Sequence, residues 1–282
     1  MHQDILLHGY LKTFKTRNMK RTVLITGSTD GIGKQTALRV AQRGNVVILH
    51  GRNQKLGNEI KDQLIRQTCN NNIEYINGDF TSFSEIEGMV EVLVLKRLIP
   101  HVLINNAGIY QTKYETVTDK NIEKTFMVNH LAHFYLTYLL LPLMEEKTTP
   151  NIVNVASMVH ARQIDLNDIV NPSDFNGSEA YSNSKLCNIL FTKKIVRENP
   201  RVISNALHPG VIDTKLLRSG WGGGGSDVNS GADQLLYGAF EIPKETNGKY
   251  LEYSNEANPA DIANDEKIQD ELYTLSMQLI PK

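Results

Sequence analysis

From residue 21 onward the chain alternates short runs rich in Val, Ile and Leu with longer stretches in which apolar residues recur at helical spacing. The short runs fall at residues 22–26 (TVLIT), 46–50 (VVILH), 73–77 (IEYIN), 101–105 (HVLIN), 151–156 (NIVNVA) and 202–207 (VISNAL). Most are continuously apolar rather than alternating, which is how strands read when helices cover both faces of a parallel sheet. Between them the pattern predicts helices over residues 32–43, 54–69, 84–98, 121–145 (in one piece or two) and 180–198. Alternation at these lengths predicts an α/β fold, a doubly wound parallel sheet with helices on both faces. No internal repeat and no Pro- or Ser-rich linker divides residues 21–282, so they are expected to form a single domain. Residues 1–20 lack a clear period and read as an N-terminal extension.

Composition narrows the class only slightly. Of 282 residues, 40% are hydrophobic and 22% charged, as in ordinary globular proteins. A formal net charge of -1 offers no basic surface for nucleic acid, and no such partner is expected. Cys69 and Cys187 form no CxxC pair and read as free thiols in a reducing compartment. The longest apolar stretch, residues 134–144, is broken by Thr137 and Pro142 and falls short of a membrane span. Without that or a secretory segment, the expectation is a cytoplasmic protein with no transmembrane helix. His130 and His133 lie three apart with no carboxylate at matching spacing, so no metal is expected.

The candidate chemistry sits where the predicted strands end. After the first strand come Thr26-Gly27-Ser28-Thr29-Asp30-Gly31-Ile32-Gly33. Glycines at a strand-to-helix junction permit a tight turn, close approach of backbone to a pyrophosphate, and close packing of helix on strand. The helix N-terminus that follows favours an anion. This is a Rossmann-type arrangement, although its spacing is G-x3-G-x-G. The second strand ends in His50-Gly51-Arg52-Asn53, without the acidic residue that would bind the ribose 2′-hydroxyl of NAD. Arg52 suits a 2′-phosphate instead, which points to NADP(H), with Asn53 beside it as a second cofactor-binding position. Tyr181 and Lys185 are four apart on a predicted helix and share a face. A neighbouring ammonium is expected to lower the tyrosine pKa, making it an acid–base catalyst. Ser157 follows the strand NIVNVA, and Asn106, Ala107 and Gly108 follow HVLIN, both at the strand ends where such sheets bind ligands. Asn129 lies inside a predicted helix, where its polar side chain wants a partner.

In this order these residues resemble the short-chain dehydrogenase/reductase family, over about residues 21–217. TGSTDGIG is similar to the family's cofactor loop, so Gly27, Ser28, Thr29, Asp30, Gly31, Ile32 and Gly33 are expected at the cofactor. The resemblance implies that Asp79, with Phe80, contacts adenine, and that Asn106, Ala107 and Gly108 line the cofactor. It implies Asn129, Ser157, Tyr181 and Lys185 as the catalytic tetrad, and Pro209, Gly210, Val211 and Thr214 at the nicotinamide carboxamide. Residues 128–137 (VNHLAHFYLT), 180–192 (AYSNSKLCNILFT) and 205–214 (NALHPGVIDT) resemble the retinol-dehydrogenase-like branch, which is mostly NADP-linked.

The implied activity is hydride transfer between NADP(H) and a carbonyl or alcohol of a small apolar substrate. In it Tyr181 handles the proton, Ser157 fixes the substrate oxygen, Lys185 also binds ribose hydroxyls, and Asn129 holds a relay water. Residues 214–230, with Leu216, Leu217, Trp221 and four consecutive glycines, are the expected substrate lid. The family implies a homodimer or homotetramer, for which residues 132–144 and 186–196 offer apolar faces. The competing readings are a catalytically silent dinucleotide-binding regulator and an epimerase or dehydratase on the same scaffold.

Overall fold

Each of the six apolar runs forms a strand in the computed structural model, which describes residues 20–243 and 245–282. The expected N-terminal extension therefore falls, except for Lys20, outside the described residues. In chain order the strands are β1 (Thr22–Ile25), β2 (Val46–Gly51), β3 (Ile73–Asn77), β4 (Val102–Asn105), a small hairpin of β5 (Thr116–Val117) and β6 (Ile122–Glu123), β7 (Asn151–Val155), β8 (Ile203–His208), β9 (Tyr250–Glu252) and β10 (Asn255–Ala257). The main sheet runs β10-β9-β8-β7-β4-β1-β2-β3. All its pairings are parallel except β9 with β10. The expected parallel sheet thus carries one antiparallel strand at its edge. Tyr253 and Ser254 both adopt positive φ (50° and 62°), the backbone of a two-residue hairpin turn, and fold the chain back on β9. Neither is a glycine or an asparagine, so the turn left no familiar mark in the sequence.

The helices are α1 (Gly31–Gln42), α2 (Gln54–Thr68), α3 (Phe83–Leu95), α4 (Ala132–Glu145), α5 (Gly177–Glu198), α6 (Lys215–Trp221), α7 (Val228–Leu236) and α8 (Glu266–Leu279). The strands are largely apolar because each side of the sheet has its own core. Leu24, Ile48, Leu103 and Ile152 face the core closed by α3, α4, α5 and α8. Val23, Ile25, Val47, Leu49, Val102 and Ile104 face the core closed by α1, α2 and α7. All ten side chains are fully buried.

Two other expectations change. The helix expected over 121–145 gives its start to β6, then enters α4 through a short helical turn (Lys124–Phe126) and a π-helical turn (Met127–Leu131). The apolar faces expected to join subunits are largely spent inside the chain. α8 lies against α5, where Lys194 and Arg197 pair with Asp270, and its Tyr273 meets Phe134 of α4 edge-on at 5.3 Å. Among the described residues no helix is long and apolar enough to cross a membrane.

Candidate active site

The C-terminal ends of β1, β2, β4, β7 and β8 open into one cleft of about 600 Å³. Its floor is the loop between β1 and α1. Gly27 has φ +62°, and a Cβ there would stand 2.8 Å from the Ala107 Cα. A Cβ on Gly33 would stand 2.4 Å from the Gly27 carbonyl oxygen and 2.6 Å from Asn106 Nδ2. The loop therefore packs on the end of β4 at a separation only glycine permits. Asn106 seals the contact, donating from Nδ2 to the Thr26 carbonyl at 2.8 Å. The Asn106 and Ala107 amides donate to Thr26 Oγ1 at 2.8 and 2.9 Å. Gly27 donates to His50 Nδ1 at 3.2 Å, so neutral His50 carries its proton on Nε2 and donates to the Gly78 carbonyl at 3.1 Å. Burial pulls the His50 pKa down to about 4, which keeps the ring neutral. Thr29, Asp30, Gly31, Ile32 and Gly33 all line the cleft. Ser28 does not: its buried hydroxyl donates to the Ile25 carbonyl at 2.8 Å and accepts from the His50 amide at 2.9 Å. The loop thus presents backbone and a helix N-terminus, a surface that fits a diphosphate.

At the mouth beyond β2, Arg52 is exposed and lines the cleft together with Asp79 and Phe80. Phe80 stacks on His50 with ring centroids 4.5 Å apart. Asn53 does not line the cleft. It caps α2, its Oδ1 accepting from the Leu56 amide at 3.0 Å.

Ser157, Tyr181 and Lys185 meet at the centre, each less than a tenth exposed. β7 delivers Ser157, and one face of α5 delivers the other two. Asn176 caps that helix by accepting from the Ser178 and Glu179 amides at 2.9 and 3.1 Å. Lys185 Nζ donates to the Val155 carbonyl at 3.0 Å and lies 5.5 Å from the Tyr181 ring centroid. Burial pulls the Lys185 pKa down to about 8. It also pushes Tyr181 up to about 12, with the Ser157 hydroxyl acting in the lowering direction. The expected lowering of the tyrosine pKa gives way to a rise, because loss of water around the phenolate outweighs the Ser157 hydrogen bond.

Asn129 stands beside this group without lining the cleft. The π-helical turn points it inward, where Oδ1 accepts from the Ile109 amide at 2.8 Å. Its Nδ2 donates to the Ile109 carbonyl at 3.0 Å and to Ser184 Oγ at 3.1 Å. Asn188, which the sequence reading passed over, donates to both the Asn129 carbonyl (3.1 Å) and the Val155 carbonyl (3.2 Å). Its signal was available: it follows Lys185 by three residues and so shares that helix face.

Pro209, Gly210, Val211 and Thr214 line the far wall, with His208, whose two ring nitrogens have no hydrogen-bond partner among the described residues. Across the top lies α6, capped by Thr214 and tied to the glycine loop by a Lys215–Asp30 ion pair of 2.7 Å. Tyr110 was missed altogether. It follows β4 in a loop with no period, and only the fold brings it against Trp221 and Tyr181. Among the described residues no group of His, Cys, Asp and Glu side chains could hold a metal ion. His130 and His133 are buried and hydrogen-bonded to Asn188 Oδ1 and Thr26 Oγ1, respectively.

The family profile described as short chain dehydrogenase matches residues 21–221. Retinol dehydrogenase 13 from Homo sapiens is 31% identical over 92% of this chain and 84% of its own. The chloroplastic short-chain dehydrogenase TIC 32 A from Brassica napus is 30% identical over 92% and 88%. Among solved structures, an uncharacterized protein from Mycobacterium paratuberculosis superposes with TM-score 0.76, at 30% identity and 92% coverage of both chains. An alcohol dehydrogenase from Thermococcus sibiricus, complexed with 5-hydroxy-NADP, shares the fold with TM-score 0.67 at 20% identity, over 86% of this chain and 99% of its own. With the glycine loop, the strand order and these matches together, the chain belongs to the retinol-dehydrogenase-like branch of the short-chain dehydrogenase/reductase family of nicotinamide-dependent oxidoreductases.

Proposed function

We propose that the protein is an NADP(H)-dependent oxidoreductase that interconverts the carbonyl and alcohol forms of a small apolar substrate. The observation that carries this reading is the convergence of Ser157, Tyr181 and Lys185 in the same cleft as the glycine loop. Gly31, Ile32 and Gly33 would hold the diphosphate, Asp79 and Phe80 the adenine end, and Pro209, Gly210, Val211 and Thr214 the nicotinamide end. Bound there, the nicotinamide supplies or accepts the hydride. The chain's own residues handle everything else. Ser157 donates a hydrogen bond to the substrate oxygen and holds it beside Tyr181. With its pKa near 12, Tyr181 is a protonated phenol at neutral pH, suited to giving its proton to a carbonyl oxygen in reduction. Lys185, still charged below its pKa of about 8, stabilises the phenolate that remains. Asn129 and Asn188 act one step back, fixing residue 109 and the carbonyl that holds Lys185.

Arg52 supports NADP(H) over NAD(H): it stands exposed at the cleft mouth after β2, where a 2′-phosphate would be met by its guanidinium. The Thermococcus sibiricus relative carries an NADP derivative, which agrees with this choice. The test is kcat/KM for NADPH and NADH across a panel of carbonyls, in wild type and Arg52→Ala. NADPH should be preferred, and the variant should lose about tenfold or more of that preference, the value of a charge-assisted pair. An NADH-preferring wild type, or a variant with unaltered preference, contradicts the assignment of Arg52.

A further inference from the structure

The chain has a single tryptophan, and the fold places it on the candidate catalytic tyrosine. Trp221 ends α6 with its ring centroid 5.4 Å from Tyr181 and 5.0 Å from Tyr110, while Tyr110 and Tyr181 are 5.9 Å apart. The three rings form a closed triad. Tyr181 is 6% exposed, and Trp221, which lines the same cleft, packs edge-on against its ring, so displacing Trp221 would open the tyrosine further.

The backbone around Trp221 is built for that displacement. No residue of α6 is buried, and its ties to the body include the exposed Lys215–Asp30 ion pair. A Cβ on Gly220 would come within 3.1–3.3 Å of three Tyr110 ring atoms, so glycine is what lets the helix lie on that ring. Gly222, Gly223 and Gly224 all have φ between +82° and +103°, a conformation that gives the helix end a glycine hinge. Met158, Val159, Val211 and Trp221, each more than a third exposed, line the same cleft. The entrance is therefore apolar as well.

Resting on the oxidoreductase reading, we propose that Tyr110 and Trp221 are specificity-determining residues, a hinged aromatic clamp that selects carbonyls bearing a planar ring next to the reacting carbon. The ring–ring contact that Trp221 gives up on opening is best restored by another flat π surface. A puckered ring of the same size offers neither edge nor face in register with the two side chains.

The test compares benzaldehyde with cyclohexanecarbaldehyde under NADPH, using kcat/KM for each. Wild type should favour the planar ring by about tenfold, as two aromatic contacts would provide. Trp221→Leu and Tyr110→Leu should each bring the ratio close to one. Trp221 is exposed at the cleft and Tyr110 is only partly buried, so the variants are expected to fold, and circular dichroism checks it. A second readout needs no turnover: in the cofactor-loaded protein, benzyl alcohol should change Trp221 fluorescence at concentrations where cyclohexylmethanol does not. Equal use of both aldehydes by wild type, or an unaltered ratio in Trp221→Leu, overturns the clamp and leaves the oxidoreductase reading standing. No turnover of any carbonyl overturns that reading instead. The fluorescence comparison then decides the clamp alone, and an equal response to both alcohols rejects it.

Discussion

Replacing Lys185 with methionine should make the cofactor-free protein more stable while removing its activity. Lys185 is 2% exposed, and burial holds its pKa near 8 against an ordinary value of 10.5. At 1.36 kcal/mol per pH unit that difference amounts to about 3 kcal/mol of strain on the charged form. Methionine fills much of the same volume without a charge. The Val155 carbonyl that Lys185 leaves behind still accepts from Asn188 at 3.2 Å, so no buried acceptor is orphaned. The sign of the pH dependence follows from the depressed pKa. Between about pH 8 and 10.5 the unfolded chain holds a proton on this lysine that the folded chain has released. Wild-type stability should therefore rise with pH across that window relative to the variant. Below pH 8 the variant should melt higher, by roughly 6–12 °C for the full 3 kcal/mol at 2–4 °C per kcal/mol. Above about pH 10.5 the gap should close. Thermal melts of both proteins at pH 7, 9 and 10.5 measure this. A variant that melts below wild type at pH 7, or a gap that does not change with pH, refutes the reasoning.

Other predictions follow from the same geometry. Gly33→Ala places a methyl 2.4 Å from the Gly27 carbonyl oxygen. It should cost about 1–3 kcal/mol in a denaturant titration and weaken cofactor binding in parallel, as overpacking does. Cys187 is fully buried with its pKa pushed up by burial, whereas Cys69 is exposed. A thiol reagent should therefore titrate Cys69 alone in the native protein and Cys187 only after unfolding. Chelators should leave activity unaffected, since the described residues offer no metal-binding group. A loss restored by one particular metal would reject that.

Much of this architecture was legible because its signals are local. A strand with core on both sides is apolar on both faces over most of its length, and β1 and β4 announce themselves in that way. Gly27 and Gly33 are required by contacts made across the strand-to-helix turn itself, so their spacing carries the meaning. What escaped depends on distant parts of the chain. Tyr110 meets Trp221 only because α6 folds over it. The Tyr253–Ser254 turn uses residues that rarely adopt positive φ, so the edge hairpin gave no warning. Ser28 and Asn53 follow the expected pattern in sequence, yet backbone partners at Ile25, His50 and Leu56 engage their side chains. That α8 returns to pack on α4 and α5 is likewise invisible in the sequence of those two helices. The pKa of Tyr181 went the other way for a similar reason. Spacing shows the lysine nearby, but only the packed structure shows how little water remains.

The most direct test of the central claim is NADPH consumption with a carbonyl substrate by wild type and Tyr181→Phe, with cofactor affinity measured on both. The account predicts turnover by wild type and a fall of roughly 10²–10⁴-fold in the variant, the contribution of a positioned proton donor, with NADPH still bound. A variant that turns over at the wild-type rate would contradict it.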